Sequence, residues 1–493
     1  MNKLSKKMAA VNEYPERILQ FGEGNFLRAF VDWMVNGMNN AGKFGGKVVV
    51  VQPIPQGLVD TLNEQDGLYT LILRGIQSGE VIDQREVMTA VSRGINPYTE
   101  WQEYLNTAIN PDMRFVISNS TEAGIAFIEE TQPTTDCPTS FPAKLTAWLF
   151  ARYQHFNGAK DKGMIILPCE LIDRNGDKLY NCVLKYAELW NLNAGFTTWL
   201  NDSCAFMVTL VDRIVTGYPR EEAETLCAEL GYQDNLLDTG EIFHLWVIEG
   251  PEYVKNELPL TECGFNVIWT NNLEPYRTRK VRILNGAHTM TVPAAYLAGV
   301  ETVRDSVEDG LISEYMKKGI FTEIIPTLDL PEDEKAQFAE DVLERFRNPF
   351  IRHLLLSIAL NSVSKYSVRV LPSLLEYQKR TGKIPAALAF GLSALFCLYQ
   401  GTEVENGALK CQRAGAEYFI KDDLDILVEF SEAWKKFYAD QDADTFCRRL
   451  MSKTKWWGID LTQVPGLLET VASGMYEIKQ DGMRQALTTL LRE

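Results

Sequence analysis

The stretch RILQFGEGNFLRAFVDWMVNGMNNAG, residues 17–42, decides how the chain begins. RILQFG (17–22) reads as a strand, and FLRAFVDWMVNGMNNAG (26–42) reads as a helix ending in glycine. Between them stand Gly22 and Gly24. Gly22 permits a tight turn, and Gly24 lets the backbone approach a pyrophosphate seated at the positive helix N-terminus. Leu27 takes the place of the third glycine of the usual fingerprint. A glycine pair at the first strand–helix turn of an alternating chain favours a dinucleotide site, with Phe21, Gly22, Gly24, Asn25 and Phe26 around it.

The next segments keep the alternation. KVVVVQPI (47–54) is β-branched and uncharged after Lys47, as a strand buried on both faces should be. LYTLILRG (68–75), EVIDQREVMTAV (80–91), MRFVISNST (113–121) and GMIILPCEL (163–171) read as further strands, giving a parallel or mixed α/β sheet. The second strand of such a sheet ordinarily ends in an acid that binds the ribose 2′-hydroxyl. Here Gln52 stands there, and no arginine follows to hold a 2′-phosphate, so NAD is favoured over NADP. Asn119, Thr121 and Glu122 stand at the end of the 113–121 strand and are expected beside the nicotinamide ribose.

At Glu274 the texture changes to amphipathic helices, at 276–298, 333–346, 350–362, 384–400, 421–439 and 465–491, and strand signals almost vanish. The expected domains are therefore 1–273, α/β and dinucleotide-binding, and 274–493, mainly α-helical and carrying the substrate site. The chain is 493 residues long with 46% apolar and 23% charged residues, the balance of a soluble globular protein. A net charge of −17 gives no long-range attraction to nucleic acid or to an anionic membrane. Nine cysteines without a CxxC pair read as free thiols in a reducing, cytoplasmic setting, with no zinc cluster. The uncharged run 384–402 reads as a buried helix opening at Pro385, and the N-terminus lacks an apolar core of signal-peptide length.

KVRILNGAHT (280–289) carries Lys280, Asn285 and His288 in a mostly apolar context. At about 100° per residue, with Lys280 at zero, His288 falls near about 80° and Asn285 near about 140°, in one sector. Pro275 is placed to open this helix. Ketone reduction needs a proton donor at the developing alkoxide and a neutral donor on the carbonyl oxygen. A lysine in a dry pocket has a lowered pKa and can serve as acid and base. Asn285 would polarise the carbonyl and His288 would hold a neighbouring hydroxyl, with no metal in the scheme. The bland alternative is a solvated lysine and a satisfied core histidine.

Lys280-x4-Asn285-x2-His288 resembles the signature of the polyol-specific long-chain dehydrogenases, the mannitol dehydrogenase family. GEGNFLRAF resembles its GxGxFxRA turn, FMVTLVDRIVTG (206–217) its FxNxxVDRI segment, HLWVIEG (244–250) its WVIED segment, and NPFIRHLLLSIALNSVSKYSVRVLP (348–372) its helix pair ending in RxLP. The resemblance implies a Rossmann-type NAD-binding domain, a helical second domain, and Lys280 as acid/base without a metal. ISNSTEAGI (117–125), SFPAKLTAWLFARY (140–153), LPCELIDRNGDKL (167–179) and PAALAF (385–390) are similar to the subgroup that interconverts D-altronate and D-tagaturonate with NAD in hexuronate breakdown. Fructuronate/mannonate and mannitol/fructose chemistry stay open as alternatives, as does a nucleotide-binding sensor without turnover. The mannitol-type members have a second oxyanion asparagine in a CDN segment. Here Leu171 stands in its place, with Asn119 or Asn175 as possible substitutes. Lys365 and Arg369, four apart, would share a helix face and grip the substrate carboxylate. The partner expected is a small sugar acid, and monomer or dimer is left open.

Overall fold

The computed structural model describes residues 1–121 and 123–492. Two compact units divide the chain, Met1–Leu273 and Glu274–Glu493. The first is built on a parallel six-stranded sheet. Its strands run in the order Val91–Ile95, Lys47–Val51, Glu16–Phe21, Phe115–Ser118, Ile165–Pro168, Ala205–Phe206. Numbered along the chain within this sheet, that is 3-2-1-4-5-6, the doubly wound dinucleotide-binding order. Phe21 pairs with Val51 on one side and with Ser118 on the other, so the strand order reverses at the end of the first strand. Ligands of such sheets bind outside the strand C-termini at this point.

Alternation along the strands divides the core. Ile18, Val48, Val50, Phe115 and Ile117 pack on one face; Leu19, Phe21, Val49, Val51 and Val116 pack on the other. Full burial of each such aliphatic side chain contributes about 1.5–3 kcal/mol, which explains why the strand is apolar on both faces after Lys47. The hairpin Tyr69–Gln77 and Glu80–Met88 leaves this sheet and joins a four-stranded one with Val215–Gly217 and Asp238–Glu241. A third sheet takes Val208–Asp212, Leu245–Glu249 and Val267–Thr270.

The second unit is mainly helical. Helix 274–297 is α-helical at Glu274–Arg279, π-wound at Lys280–Asn285, and α-helical again at Gly286–Leu297. Helix Ala386–Leu398 is buried at every position but the first, as its uncharged sequence requires, and packs against Gly286–Leu297 and Leu467–Asp481. Its N-terminus lacks a serine or threonine cap. Glu323 supplies the acceptors instead, at 2.9 Å from both the Ala387 and Leu388 amides, and burial pushes its carboxyl up to about 7. Among the described residues no helix is long and apolar enough to cross a membrane.

Two expectations for this unit fail locally. The 350–362 pattern is not one helix: Leu355–Ile358 and Ser362–Arg369 are separated at Asn361, which adopts φ 54°. Strand structure also persists beyond Glu274. Glu403–Glu405, Ala408–Arg413 and Ala416–Ile420 form an antiparallel meander. Its turns are Asn406-Gly407 and Ala414-Gly415, all with positive φ, the two-residue hairpin chemistry that short strands need.

Candidate functional site

In the first unit the glycine turn is held from both sides. Gly22 has φ +122°, and a Cβ there would lie 2.9 Å from the Asn119 carbonyl oxygen, so only glycine fits where the first and fourth strands end together. Gly24 is exposed, and a Cβ there would meet nothing within 4 Å. Helix 25–40 starts directly after it, without a side-chain cap on its first amides. These open amides and the open space over Gly24 fit a pyrophosphate.

Arg28 fixes the turn. It is 2% exposed, and its guanidinium donates to the Glu23 carbonyl at 3.1 Å, to Asn25 Oδ1 at 2.6 Å and to the Leu236 carbonyl at 2.6 Å. The buried Asp238 carboxylate lies 3.9 Å away. Burial pushes the Asp238 and Asp32 carboxyls up to about 7, with Arg28 opposing the shift in both.

The fold engages or buries three candidate side chains here. Phe21 is fully buried, its ring 4.7 Å from Phe141 and 6.0 Å from Tyr104, so only its backbone faces the turn. Gln52 is 3% exposed, and its amide nitrogen donates to the Ile54 and Pro55 carbonyls at 2.9 and 3.0 Å; no N–H is left for a ribose. Asn175 is fully buried, and its amide donates to the Pro168, Glu170 and Thr209 carbonyls, which removes it as an oxyanion donor. Backbone carbonyls engage Gln52 and Asn175 and aromatic rings enclose Phe21, which a spacing argument does not see.

Asn25 is tied to Arg28, and Phe26 stacks on Phe30 at 5.0 Å; both are half-buried. Asn119 braces the strand ends, its amide donating to the Cys169 carbonyl at 2.7 Å. Thr121 is exposed, and Glu122 lies outside the described residues. Leu171 is 62% exposed beside the buried Glu170, which accepts from Ser118 Oγ, Ser120 N and Ser120 Oγ at 2.9–3.0 Å.

In the second unit, Lys280, Asn285 and His288 are all half-buried on helix 274–297. The π-winding of Lys280–Asn285 uses longer i→i+5 hydrogen bonds, so the angles expected of a regular α-helix do not apply between Lys280 and Asn285. His288 stacks on Phe346 (4.2 Å, 18°) and meets His353 edge-on (5.4 Å, 80°). Its Nε2 is shielded from solvent and has no hydrogen-bond partner among the described residues. Burial first, then His353, Arg345, Arg369 and Lys365, lower its pKa to about 3. The imidazole is therefore neutral at physiological pH, with a ring nitrogen facing a cationic neighbourhood.

Lys365 and Arg369 sit on Ser362–Arg369, one turn apart. Lys365 donates to the Ile358 carbonyl at 2.8 Å; its pKa is lowered by burial and by Arg369. Burial lowers that of Arg369. This short helix is pinned to helix 274–297 at two places. Arg282 donates to the Val368 carbonyl at 2.8 Å, and a Cβ on Gly286 would lie 3.2 Å from the Arg369 carbonyl. The structure thus brings Lys365 and Arg369 into the electrostatic field of His288. It adds Phe346, His353 and Arg345, which lie more than fifty residues along the chain from His288 and carry no periodic signal pointing to it. Glu23 and Gly286 were also missed; both lie inside quoted motifs but outside their signature positions. Among the described residues no group of three or more His, Cys, Asp or Glu is placed to hold a metal.

The family model described as Mannitol dehydrogenase Rossmann domain matches residues 16–262, and that described as Mannitol dehydrogenase C-terminal domain matches residues 272–479. Altronate oxidoreductase of Enterobacter sp. (strain 638) is 47% identical over 99% of this chain and 100% of its own. Altronate oxidoreductase of Halalkalibacterium halodurans is 44% identical over 98% of this chain and 94% of its own. Pseudomonas fluorescens mannitol 2-dehydrogenase, solved as a ternary complex with NAD and D-mannitol, shares the fold with TM-score 0.64 at 20% identity, covering 100% of both chains. A D-sorbitol dehydrogenase in substrate-free form gives TM-score 0.77 at 21% identity over 98% of this chain and 100% of that one.

Proposed function

The chain belongs to the mannitol dehydrogenase family, and from that premise we propose that it is an NAD-dependent oxidoreductase interconverting D-altronate and D-tagaturonate. One observation carries the substrate: identity of 47% to an altronate oxidoreductase over 99% of the chain and the whole of that relative. Fructuronate, mannitol and sensor readings are not favoured beside it. The sugar acid fits hexuronate catabolism, and nine unpaired cysteines support a cytoplasmic setting.

In this reading residues 1–273 bind the dinucleotide and 274–493 carry the substrate chemistry. When bound, the cofactor would supply hydride chemistry, NAD+ as acceptor in oxidation and NADH as donor in reduction. Gly22, Gly24, Asn25, Phe26 and the amides of helix 25–40 hold its pyrophosphate, while Asn119 and Thr121 border its ribose. Lys280 accepts the hydroxyl proton as altronate is oxidised and returns it to the alkoxide in the reverse direction. Asn285 donates to the same oxygen. His288 positions the substrate, and as a neutral imidazole it adds no second cation to the lysine's chemistry. Lys365 and Arg369 hold the carboxylate, which a neutral polyol lacks.

The test is NADH absorbance with tagaturonate, fructuronate and fructose in parallel. Tagaturonate should be reduced with the highest kcat/KM. Preference for either other substrate would contradict the substrate assignment, and NADH binding without turnover on any of them would contradict the enzyme.

A further inference from the structure

The second strand ends in a neutral group: the Gln52 amide N–H groups are engaged by Ile54 and Pro55, and the side chain brings no charge to repel a 2′-phosphate. A carboxylate nevertheless stands at that place, and it comes from the glycine turn. Glu23, between Gly22 and Gly24, is 8% exposed, and its Oε1 accepts the Leu58 amide at 3.3 Å. A Cβ built on Gly57 would meet Glu23 Oε1 at 2.1 Å and Gln52 Cδ and Oε1 at 2.5 Å, so the carboxylate, the glutamine head and the 53–58 loop converge on one spot. The Glu23 backbone is held as firmly, by the Arg28 guanidinium on its carbonyl.

In a sheet of this order, the end of the second strand is where the adenosine ribose hydroxyls lie, and an acid there binds the 2′-hydroxyl and rejects a 2′-phosphate. We propose that Glu23, rather than Gln52, is the residue that selects NAD over NADP, its carboxylate accepting from the ribose 2′-hydroxyl and repelling a 2′-phosphate. This rests on the reading of the first unit as an NAD-binding domain. The side chain stays in place without a ligand because Leu58 holds one carboxylate oxygen, which leaves the other for the ribose. Burial raises the carboxyl's pKa, and the Glu23 and Leu58 amides and Arg28 oppose that shift.

The experiment is calorimetric titration of NADH and NADPH into the full-length wild type and Glu23→Gln, with no substrate present. The wild type should bind NADH more tightly than NADPH. Glu23→Gln should lower the NADPH-to-NADH Kd ratio by at least about 10-fold, the scale of one lost hydrogen bond to a charged group. Glu23→Ala is the second variant should Glu23→Gln not fold, with the same expected direction. A Glu23 that merely orders the 53–58 loop would weaken both cofactors equally, and an unchanged ratio in a folded variant overturns the assignment. Should the wild type bind both cofactors equally, or neither, the NAD reading itself fails. That outcome is distinct from a discriminating wild type whose variant still discriminates.

Discussion

The glycine turn of the first unit and the polar cluster of the second are stabilised in opposite ways. The turn is a backbone object. Gly22 is fixed by a carbonyl it could not approach with a side chain, and Arg28 donates to three groups around it. The cluster is a side-chain object, drawn from 280–288, 345–353 and 365–369, and within it the shielded His288 Nε2 has no hydrogen-bond partner among the described residues. A ligand with constant shape, such as a pyrophosphate, can be met by rigid amides. A substrate whose charge changes during reaction needs groups that are not already satisfied by the fold.

That contrast can be broken most severely at Arg28. Arg28→Ala should destabilise the first unit by about 3–5 kcal/mol, because it removes the guanidinium paired with the buried Asp238 carboxylate and the donor to the Glu23, Asn25 and Leu236 oxygens. A chemical denaturation curve measures this, and a loss under about 1 kcal/mol would mean the turn does not depend on that network.

The second unit should respond in function rather than stability. Arg369→Ala should raise KM for tagaturonate by about 10–100-fold, the worth of a charge-assisted hydrogen bond, with little change for a neutral ketose. Equal effects on both substrates would remove the guanidinium from the carboxylate.

The smallest expected effect is on pH dependence. The folded His288 pKa lies near 3 against an ordinary 6.5, so the unfolded chain binds the proton more readily. Its contribution to stability is fully present above pH 6.5 and falls as pH drops toward 3. Between about pH 6.5 and 5, wild type should lose about 1–2 kcal/mol more than His288→Gln, read from urea midpoints. An identical slope in the two proteins would show that the imidazole is already solvated in the fold.

How much of this was legible in the sequence follows from the same contrast. The parallel sheet was readable because period-two burial on both faces leaves runs such as VVVV. The glycine turn was readable because its requirements are local. Lys280, Asn285 and His288 could be grouped by helical period, although the π-winding that alters their spacing leaves no mark in residue identity. The engagement of Gln52, Phe21 and Asn175 was not legible for one reason: a polar or aromatic residue at the right position is available only if the surrounding fold has not engaged or buried it. Phe346 and His353 were invisible because nothing local announces a tertiary stack. The 403–420 meander was legible in its NG and AG dipeptides, and the surrounding helical texture outweighed them.

The central claim is that Lys280 moves the proton. Single-turnover reduction of tagaturonate with bound NADH should slow by at least about 10²-fold in Lys280→Ala, the range of lost general-acid catalysis, while the Kd for NADH stays near that of the wild type. A variant that binds NADH normally and turns over at the parent rate would contradict the account.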